Sequence, residues 1–342
     1  MAKKSNSAGN SLRSDAIAAM DFEKPIIRLQ RQIADLEEAQ GEGGRDYSAE
    51  IRQLRAQYVS LLKKTYQNLT PWETVQVARH PSRPLSLDYI ERIGKNFVEI
   101  HGDRRFADDK ALTCGPVHIG TEKAMLVAQS KGRDTKEKLA RNFGMCHPEG
   151  YRKALRAMKL AEKFKMPVVT LIDTTGAYPG VGSEERGVAE SIARNLIEMS
   201  RLRTPVVCVV IGEGGSGGAL GIGLGDRIGI MEFAYYSVIS PEGCASILWR
   251  TGEKAPEAAE ALKLTAKHLK ALDAIDDIIP EPLGGAHRNP AEAAGNLERY
   301  IVRSLRELGR VSIDTLLTAR YDRWRRMGKV LRLQPEGTVA KE

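Results

Sequence analysis

The chain has 342 residues, 42% hydrophobic and 28% charged, which suits a soluble globular protein with a sizeable core and two or three domains. Fifty-two basic residues against 44 acidic ones give a net charge of +8, which suits an anionic ligand or an acidic partner without choosing between phosphate, polyanion and protein. Aromatics, at 6%, are too few for a nucleic-acid stacking platform, no apolar run approaches the ~18 residues of a membrane span, and the opening residues lack the apolar core of a signal peptide.

Residues 1–20 are polar and are expected to form a loose tail. Residues 21–80 are expected to form a helical hairpin. Ile26, Ile27, Leu29, Ile33 and Leu36 repeat at helical spacing, Gln40 to Asp46 break the helix, and Ile51, Leu54, Tyr58, Leu61 and Leu62 resume it. Such a hairpin packs on its own domain or on a partner. A Pro-containing linker, His80 to Pro84, follows. Asp88 to Phe97 reads as helix, His101 to Asp109 as a charged loop, and Lys123 to Gln129 as a strand.

The segment from Lys131 to Lys159 is basic, with Lys131, Arg133, Lys136, Lys138, Arg141, Arg152, Lys153, Arg156 and Lys159 against Asp134, Glu137 and Glu149. It reads either as a solvated loop and helix face or as a landing surface for phosphates or an acidic partner. Tyr151, Leu155 and Met158 mark the buried face of its helix, which stops before Pro167.

Val168 to Asp173 is the next expected strand, opening into the loop Thr174 to Ser183. Ser183 is placed as the cap of a helix whose first turn holds Glu184 and Glu185 and whose stripe is Val188, Ile192 and Leu196. Pro205 starts the strand Val206 to Ile211. The glycine-rich run Gly212 to Asp226 is then read as a strand-to-helix turn, where missing Cβ atoms let backbone N–H groups approach a ligand. Ile228 to Phe233 and Ser237 to Ser240 are strand-like. From Ala255 the chain turns helical, with a break at Ile278 to Pro290. The alternation argues for an α/β domain over residues 81–290 with ligands at the C-terminal strand ends. Helices at 291–330 carry Leu297, Tyr300, Ile301 and Leu305 in phase, and residues 331–342 are expected to fray. Cys114, Cys146, Cys208 and Cys244 form no CxxC pair, which suits reduced thiols in a cytoplasmic protein and argues against a zinc ribbon.

Neither glycine loop carries a histidine, cysteine or lysine. Three chemistries compete. A hydrolytic triad would use Ser216, with Asp173, Glu184, Glu185 or Glu213 and a histidine brought in by folding; nothing local supports it. Gly212-Glu-Gly-Gly-Ser-Gly217 has the form G-x-G-x-x-G, and Glu232 lies where a ribose ligand would be, which is the form of a dinucleotide fingerprint. That reading leaves the equally elaborate loop after Asp173 unexplained. An oxyanion hole built from backbone N–H groups of both loops needs few ionisable side chains, and each donor contributes about 3–4 kcal/mol in a transition state.

Several long motifs then occur in order: Asp173-Thr-Thr-Gly-Ala-Tyr-Pro-Gly-Val-Gly, Glu184-Glu-Arg-Gly, Gly212-Glu-Gly-Gly-Ser-Gly-Gly-Ala-Leu, Ser240-Pro-Glu-Gly-Cys-Ala-Ser-Ile-Leu-Trp, Ile279-Pro-Glu-Pro-Leu-Gly-Gly-Ala-His-Arg-Asn, Lys131-Gly-Arg-Asp-Thr-Lys-Glu-Lys and Asn142-Phe-Gly-Met. Together the stretch from Asp21 to Tyr321 resembles the alpha subunits of bacterial acetyl-CoA carboxylase carboxyltransferase. The resemblance implies a crotonase-type α/β fold of repeated ββα units. It implies carboxyl transfer from carboxybiotin, held on a biotin carboxyl carrier protein, to acetyl-CoA, giving malonyl-CoA for fatty acid synthesis. It implies an α2β2 assembly with a zinc-containing beta subunit, a separate biotin carboxylase, and no metal in this chain. By motif match, backbone N–H groups of Gly176, Ala177, Gly218 and Ala219 would meet the charge left on the ureido oxygen of biotin. The deprotonated biotin nitrogen would take the α-proton of acetyl-CoA, and the beta subunit would hold the enolate. Gly214, Gly215, Gly217 and Tyr178 would line the substrate site, and Lys131 and Arg133 would face coenzyme A phosphates or the subunit interface. Thr175 stands where the family pattern has proline, which loosens that turn.

Overall fold

A computed structural model describes residues 20–41, 43, 45–328, 331–333 and 339–341. The tail expected at 1–20 lies outside them except for its last residue.

Eight strands make one sheet in the order β1 (Gly94–Lys95), β2 (Leu112–Ile119), β3 (Glu122–Gln129), β4 (Val168–Thr174), β5 (Val206–Gly215), β6 (Arg227–Met231) and β8 (Asp277–Ile279), with β7 (Tyr235–Ser237) on the far end of β5. β1 to β3 are antiparallel, and β3 onwards is parallel. The two central strands, β4 and β5, are buried at every residue. That explains the apolar runs Val168–Val169, Leu171–Ile172 and Val206 to Ile211 within them, because parallel strands are covered on both faces. Asp88 to Phe97 is not one helix. It is α4 (Ser86–Ile93), after which Gly94 turns into β1 opposite Ile119. Gly94 is the residue that allows this, since a Cβ there would lie 2.7 Å from the Ile90 carbonyl oxygen.

The hairpin consists of α1 (Lys24–Gly41) and α2 (Ser48–Gln67), followed by α3 (Pro71–Ala78), which Thr70 and Glu73 close with a capping box. α1 and α2 pack through Ile26, Leu62 and Tyr66 onto Val77 of α3 and Phe233 beyond β6, a small core separate from the main one. Glu23 pins the hairpin to the rest of the fold. Its Oε1 accepts from Tyr66 at 2.7 Å and from Arg288 at 2.6 Å. Burial alone would raise the Glu23 carboxyl, but hydrogen bonds from His287, Tyr66 and Arg288 outweigh it and hold the group at about 2. A depressed carboxyl contributes stability above its unfolded pKa and loses it as pH falls through the folded one. The melting-temperature gap between wild type and Glu23→Gln should therefore close between about pH 4.3 and pH 2. A gap that stays constant over that range would show that the carboxylate charge is not what anchors the hairpin. His80 and His287 stack beside Glu23, 4.0 Å between ring centroids, and the three donor groups lie within 4.8 Å of one another. Glu23 is already paired with Arg288, and parallel imidazoles do not aim their lone pairs at one point, so the cluster is not a ready cation cage.

Between β3 and β4 lie α5 (Thr135–Ala140) and α6 (Pro148–Lys163). Between β4 and β5 lie the single turn α7 (Val181–Glu185) and α8 (Val188–Arg201). Gly187, at φ +77°, caps α8, so Ser183 is not its cap; Ser183 sits inside α7 and meets Nδ1 of His147 at 2.7 Å. The buried stripe of α8 is Val188, Ser191, Asn195 and Met199, leaving Ile192 and Leu196 half-buried. Asn195 is inside because its Nδ2 donates to the carbonyls of Tyr151 and Gly221 at 3.0 and 2.9 Å. After β5 come α9 (Ser216–Leu220), β6 and β7, then α10 (Pro241–Trp249), α11 (Ala255–Leu262), α12 (Ala266–Ala271) and β8. Ser237 to Ser240 is strand only to Ser237, and Ser240 caps α10 by accepting from Gly243 N at 3.1 Å. α13 (Pro290–Leu308) sends Leu297, Tyr300, Ile301 and Leu305 into the main core, and α14 (Ile313–Arg326) follows. Leu331–Leu333 and Val339–Lys341 pair as a short antiparallel ribbon.

Candidate active site at the ends of β4 and β5

β4 and β5 run side by side in register from Val168–Val206 to Ile172–Val210 and meet again at Thr174–Gly214. Between those last two pairs β5 uses two residues more than β4. The bulge sets Ile211, Gly212 and Glu213 of β5 against the single residue Asp173 of β4. The strand then continues to Gly215, so Gly212, Gly214 and Gly215 belong to β5 and not to a turn. This removes the dinucleotide reading, which needs its first glycine in the turn and a full helix behind it; α9 has five residues. These glycines serve close packing. A Cβ on Gly212 would lie 2.7 Å from Asp173 Oδ1, one on Gly214 2.9 Å from the Tyr236 ring, and one on Gly215 2.8 Å from the Thr174 carbonyl.

The two loops touch. A Cβ on Gly218 would lie 2.6 Å from the Ala177 nitrogen and closer still to the Gly176 carbonyl carbon, whereas a Cβ on Gly176 would meet nothing within 4 Å. Gly176 therefore borders open space, and Gly218 forms the wall behind it. Gly217 lies beside Ile192, 3.7 Å away. Of the four expected donors, one is spent on a side chain and one points back along its own helix. Gly176 N–H donates to Thr174 Oγ1 at 3.1 Å. With Gly215 as N-cap of α9, Ala219 is the first residue whose N–H is directed at the preceding turn of the helix. Ala177 and Gly218 keep N–H groups that no acceptor among the described residues takes up. Tyr178 donates its N–H to the Cys146 carbonyl at 3.0 Å and lays its ring against His147, 4.3 Å between centroids.

Sequence reading missed the residue that joins the loops from behind. Gln129, fully buried at the end of β3, donates to the Gly218 carbonyl at 2.7 Å and accepts from Asp173 N–H at 3.2 Å. Its position on the strand carried no polar signal. Lys131 also differs from expectation. Its ammonium turns inward to Asp173 Oδ1 at 2.8 Å and Glu213 Oε2 at 2.5 Å, so it is not free for a phosphate. Burial would lower the Lys131 pKa, but the two carboxylates outweigh it and raise it. Glu213 also accepts from Arg79 Nε at 2.7 Å and Tyr235 at 2.6 Å. Burial would raise its carboxyl, and Lys131 and Arg79 hold it at about 2 instead. Arg133 is half-exposed, pairs with Asp88, and lines a cleft of about 240 Å³ with Arg79, His80, Lys138 and Phe143.

The rest of the basic segment is largely consumed inside the fold. Lys153, with no exposed side chain, reaches Asp108 at 2.6 Å and the Asp109 carbonyl at 2.7 Å. Arg156 binds the carbonyls of His101 and Gly102, and Lys159 pairs with Glu162 and Glu198. Lys153 is wholly internal, whereas Arg156 and Lys159 are paired but still partly solvated. The four cysteines are free thiols, three of them buried. Among the described residues no helix is long and apolar enough to cross a membrane.

Residues 19–328 match the family model described as acetyl co-enzyme A carboxylase carboxyltransferase-like. The chain is 54% identical over 307 residues to an acetyl-coenzyme A carboxylase carboxyl transferase subunit alpha of Vibrio campbellii, covering 89% of this chain and 96% of that one. It is 53% identical to the subunit alpha of Thermus thermophilus, over 90% and 98% of the two chains. The chain belongs to the alpha subunits of acetyl-CoA carboxylase carboxyltransferase. As such an alpha subunit it is an enzyme component for carboxyl transfer in fatty acid biosynthesis, and part of a multi-subunit assembly. Among solved structures, transcarboxylase 12S superposes with a TM-score of 0.54 at 19% identity, over 66% of this chain and 42% of that one. The beta subunit of P. aeruginosa geranyl-CoA carboxylase gives 0.52 at 18%, over 70% and 46%. These likenesses place the alpha subunit's sheet in the crotonase-like carboxyltransferase fold.

Proposed function

We propose that the loops after β4 and β5 form the oxyanion hole of this alpha subunit, with Ala177 and Gly218 N–H as its donors. The observation that carries this is the contact of Gly218 with Gly176–Ala177 beside the open space at Gly176. Gly176 and Ala219 shape the hole, Gly217 and Tyr178 border it, and Gly214 and Gly215 hold the strand behind it. A cradle without Cβ atoms, backed by two unspent N–H groups, fits the ureido oxygen of a biotin delivered by a carrier protein. Carboxybiotin supplies the carboxyl group and, once it is gone, the basic nitrogen for acetyl-CoA. The chain's own part is to fix donors where negative charge develops and to exclude side chains from that position. No side-chain base is required of it, in keeping with loops that hold no histidine, cysteine or lysine.

The acceptor is acetyl-CoA and the product malonyl-CoA. Partners on this reading are a zinc-containing beta subunit in an α2β2 complex, a biotin carboxyl carrier protein and a biotin carboxylase, all in the cytoplasm. Arg133, exposed at the mouth of the basic cleft, is the candidate for a coenzyme A phosphate or an interface carboxylate. Mixing the chain with its beta subunit should produce malonyl-CoA decarboxylation that depends on free biotin, with neither subunit active alone. Saturable binding of a nicotinamide dinucleotide by the isolated chain, without that activity, would overturn the reading.

A further inference from the structure

We propose that Lys131 and Glu213 are positioning residues that set the spacing of the two glycine loops, rather than groups that meet substrate. The inference rests on the oxyanion hole assigned above. Asp173 is the penultimate residue of β4, and Glu213 lies in the bulge of β5, so each sits one or two residues before its loop. Lys131 Nζ joins the two carboxylates at 2.8 and 2.5 Å, and Asp173 Oδ1 also accepts Glu213 N–H at 3.0 Å. The two strand ends are thereby tied by one cation and one backbone hydrogen bond.

The cation is held in turn. Asn142, Phe143 and Gly144 form a left-handed turn, with φ of +47°, +56° and +81°. Gly144 lies so close to the Lys131 stem that a Cβ would come within 2.7 Å of Lys131 Cγ. Consecutive non-glycine residues in that region carry strain, and here the strained turn presses Lys131 onto the carboxylates. On the other side of Glu213, Arg79 at the end of α3 and Tyr235 on β7 complete its shell, and Arg79 also reaches Glu242 in the first turn of α10 at 2.5 Å. Arg83 contributes further positive charge near Asp173. Without Lys131, two buried carboxylates face each other with one counter-charge fewer. Their repulsion acts between the two strand ends that lead into the loops of Ala177 and Gly218.

The test uses the reconstituted complex with the beta subunit, reading biotin-dependent malonyl-CoA decarboxylation. For Lys131→Met, kcat should fall about 100-fold, the scale of a small misplacement of transition-state donors, with KM for malonyl-CoA unchanged. Adding Glu213→Gln removes the repulsion, so the double variant should recover about tenfold over Lys131→Met, a non-additivity expected of neighbours. Lowering the pH should also restore activity to Lys131→Met relative to wild type, because protonating either carboxylate relieves the same repulsion. A raised KM with kcat intact would place Lys131 on substrate and overturn the proposal. So would a double variant no better than additive losses predict. Should Lys131→Met fail to assemble with the beta subunit, Lys131→Arg and Glu213→Gln decide: arginine must keep most of kcat, and glutamine must lower kcat without raising KM. Gly218→Val separates the two ideas. If it is inactive while Lys131→Met is not, the clamp fails and the hole stands; if Gly218→Val is fully active, the hole itself fails.

Discussion

Gly218→Val should abolish carboxyl transfer while leaving the fold and the complex intact. A Cβ at this position falls within 2.6 Å of the Ala177 nitrogen and the Gly176 carbonyl oxygen, which are backbone atoms that cannot swing aside as a side-chain end can. The loop after β4 must move, or α9 must rotate, and either change separates the two donors. Loss of one preorganised oxyanion donor costs about 100- to 1000-fold in rate, and this substitution displaces both. The measurement is kcat of the complex with its beta subunit, beside a gel-filtration profile showing that assembly persists. Gly295→Ala is a suitable control, because its Cβ would lie on α13 with only the end of Arg299 nearby, at 3.5 Å. Activity of Gly218→Val within a few-fold of that control would remove Gly218 from the site.

Arg320→Met should cost a large part of the stability of the fold. Arg320 lies on α14, is fully buried, and forks onto Asp226 at 2.7 and 2.6 Å. Its remaining N–H groups donate to the carbonyls of Met199, Leu202 and Thr204 at 2.8, 2.8 and 2.9 Å. One side chain thus satisfies the last turn of α8, the entry to β5 and the carboxylate that follows the second glycine loop. Methionine fills much of the volume but leaves Asp226 buried with only Arg323, which makes no hydrogen bond to it, as counter-charge. Breaking a buried pair in this way costs about 3–5 kcal/mol. The urea midpoint should fall accordingly, and Arg320→Met with Asp226→Asn should recover part of the loss. A loss below about 1 kcal/mol would mean the pair behaves like a surface salt bridge.

The architecture explains why so little side-chain chemistry appears at the centre of this subunit. The sheet brings two strand ends together, a bulge in β5 shifts their register, and the loops meet through backbone. Charged and polar residues stand one layer back, where Lys131, Glu213, Arg79 and Tyr235 form one hydrogen-bonded network. The apolar end of α10, with Ile247 and Leu248 largely exposed, is reached from that same layer through Arg79 and Glu242.

Elements with a local signal were legible in the order of the amino acids. The apolar runs before each glycine loop became β4 and β5, the spacing at Leu297 to Leu305 became the buried face of α13, and the ordered motifs identified the family. Local signals erred where glycine had two meanings. Gly212 to Gly215 looked like a turn and are strand, because glycine permits close packing as readily as a tight bend. Which polar groups are spent follows from the folded arrangement alone. Lys131 and Glu213 stand 82 positions apart, and Arg79 and Glu213 stand 134 apart, so no periodicity links them. Gln129 on a buried strand and Arg320 on a surface-patterned helix likewise show their roles only through long-range partners. The same holds for the hole. Its glycines were legible as a pattern, but which N–H remains free depends on Thr174 Oγ1, on the start of α9 and on the contact of Gly218 with the other loop. Hydrogen bonds are settled by geometry at the ångström scale, and that geometry exists only once the strands have paired.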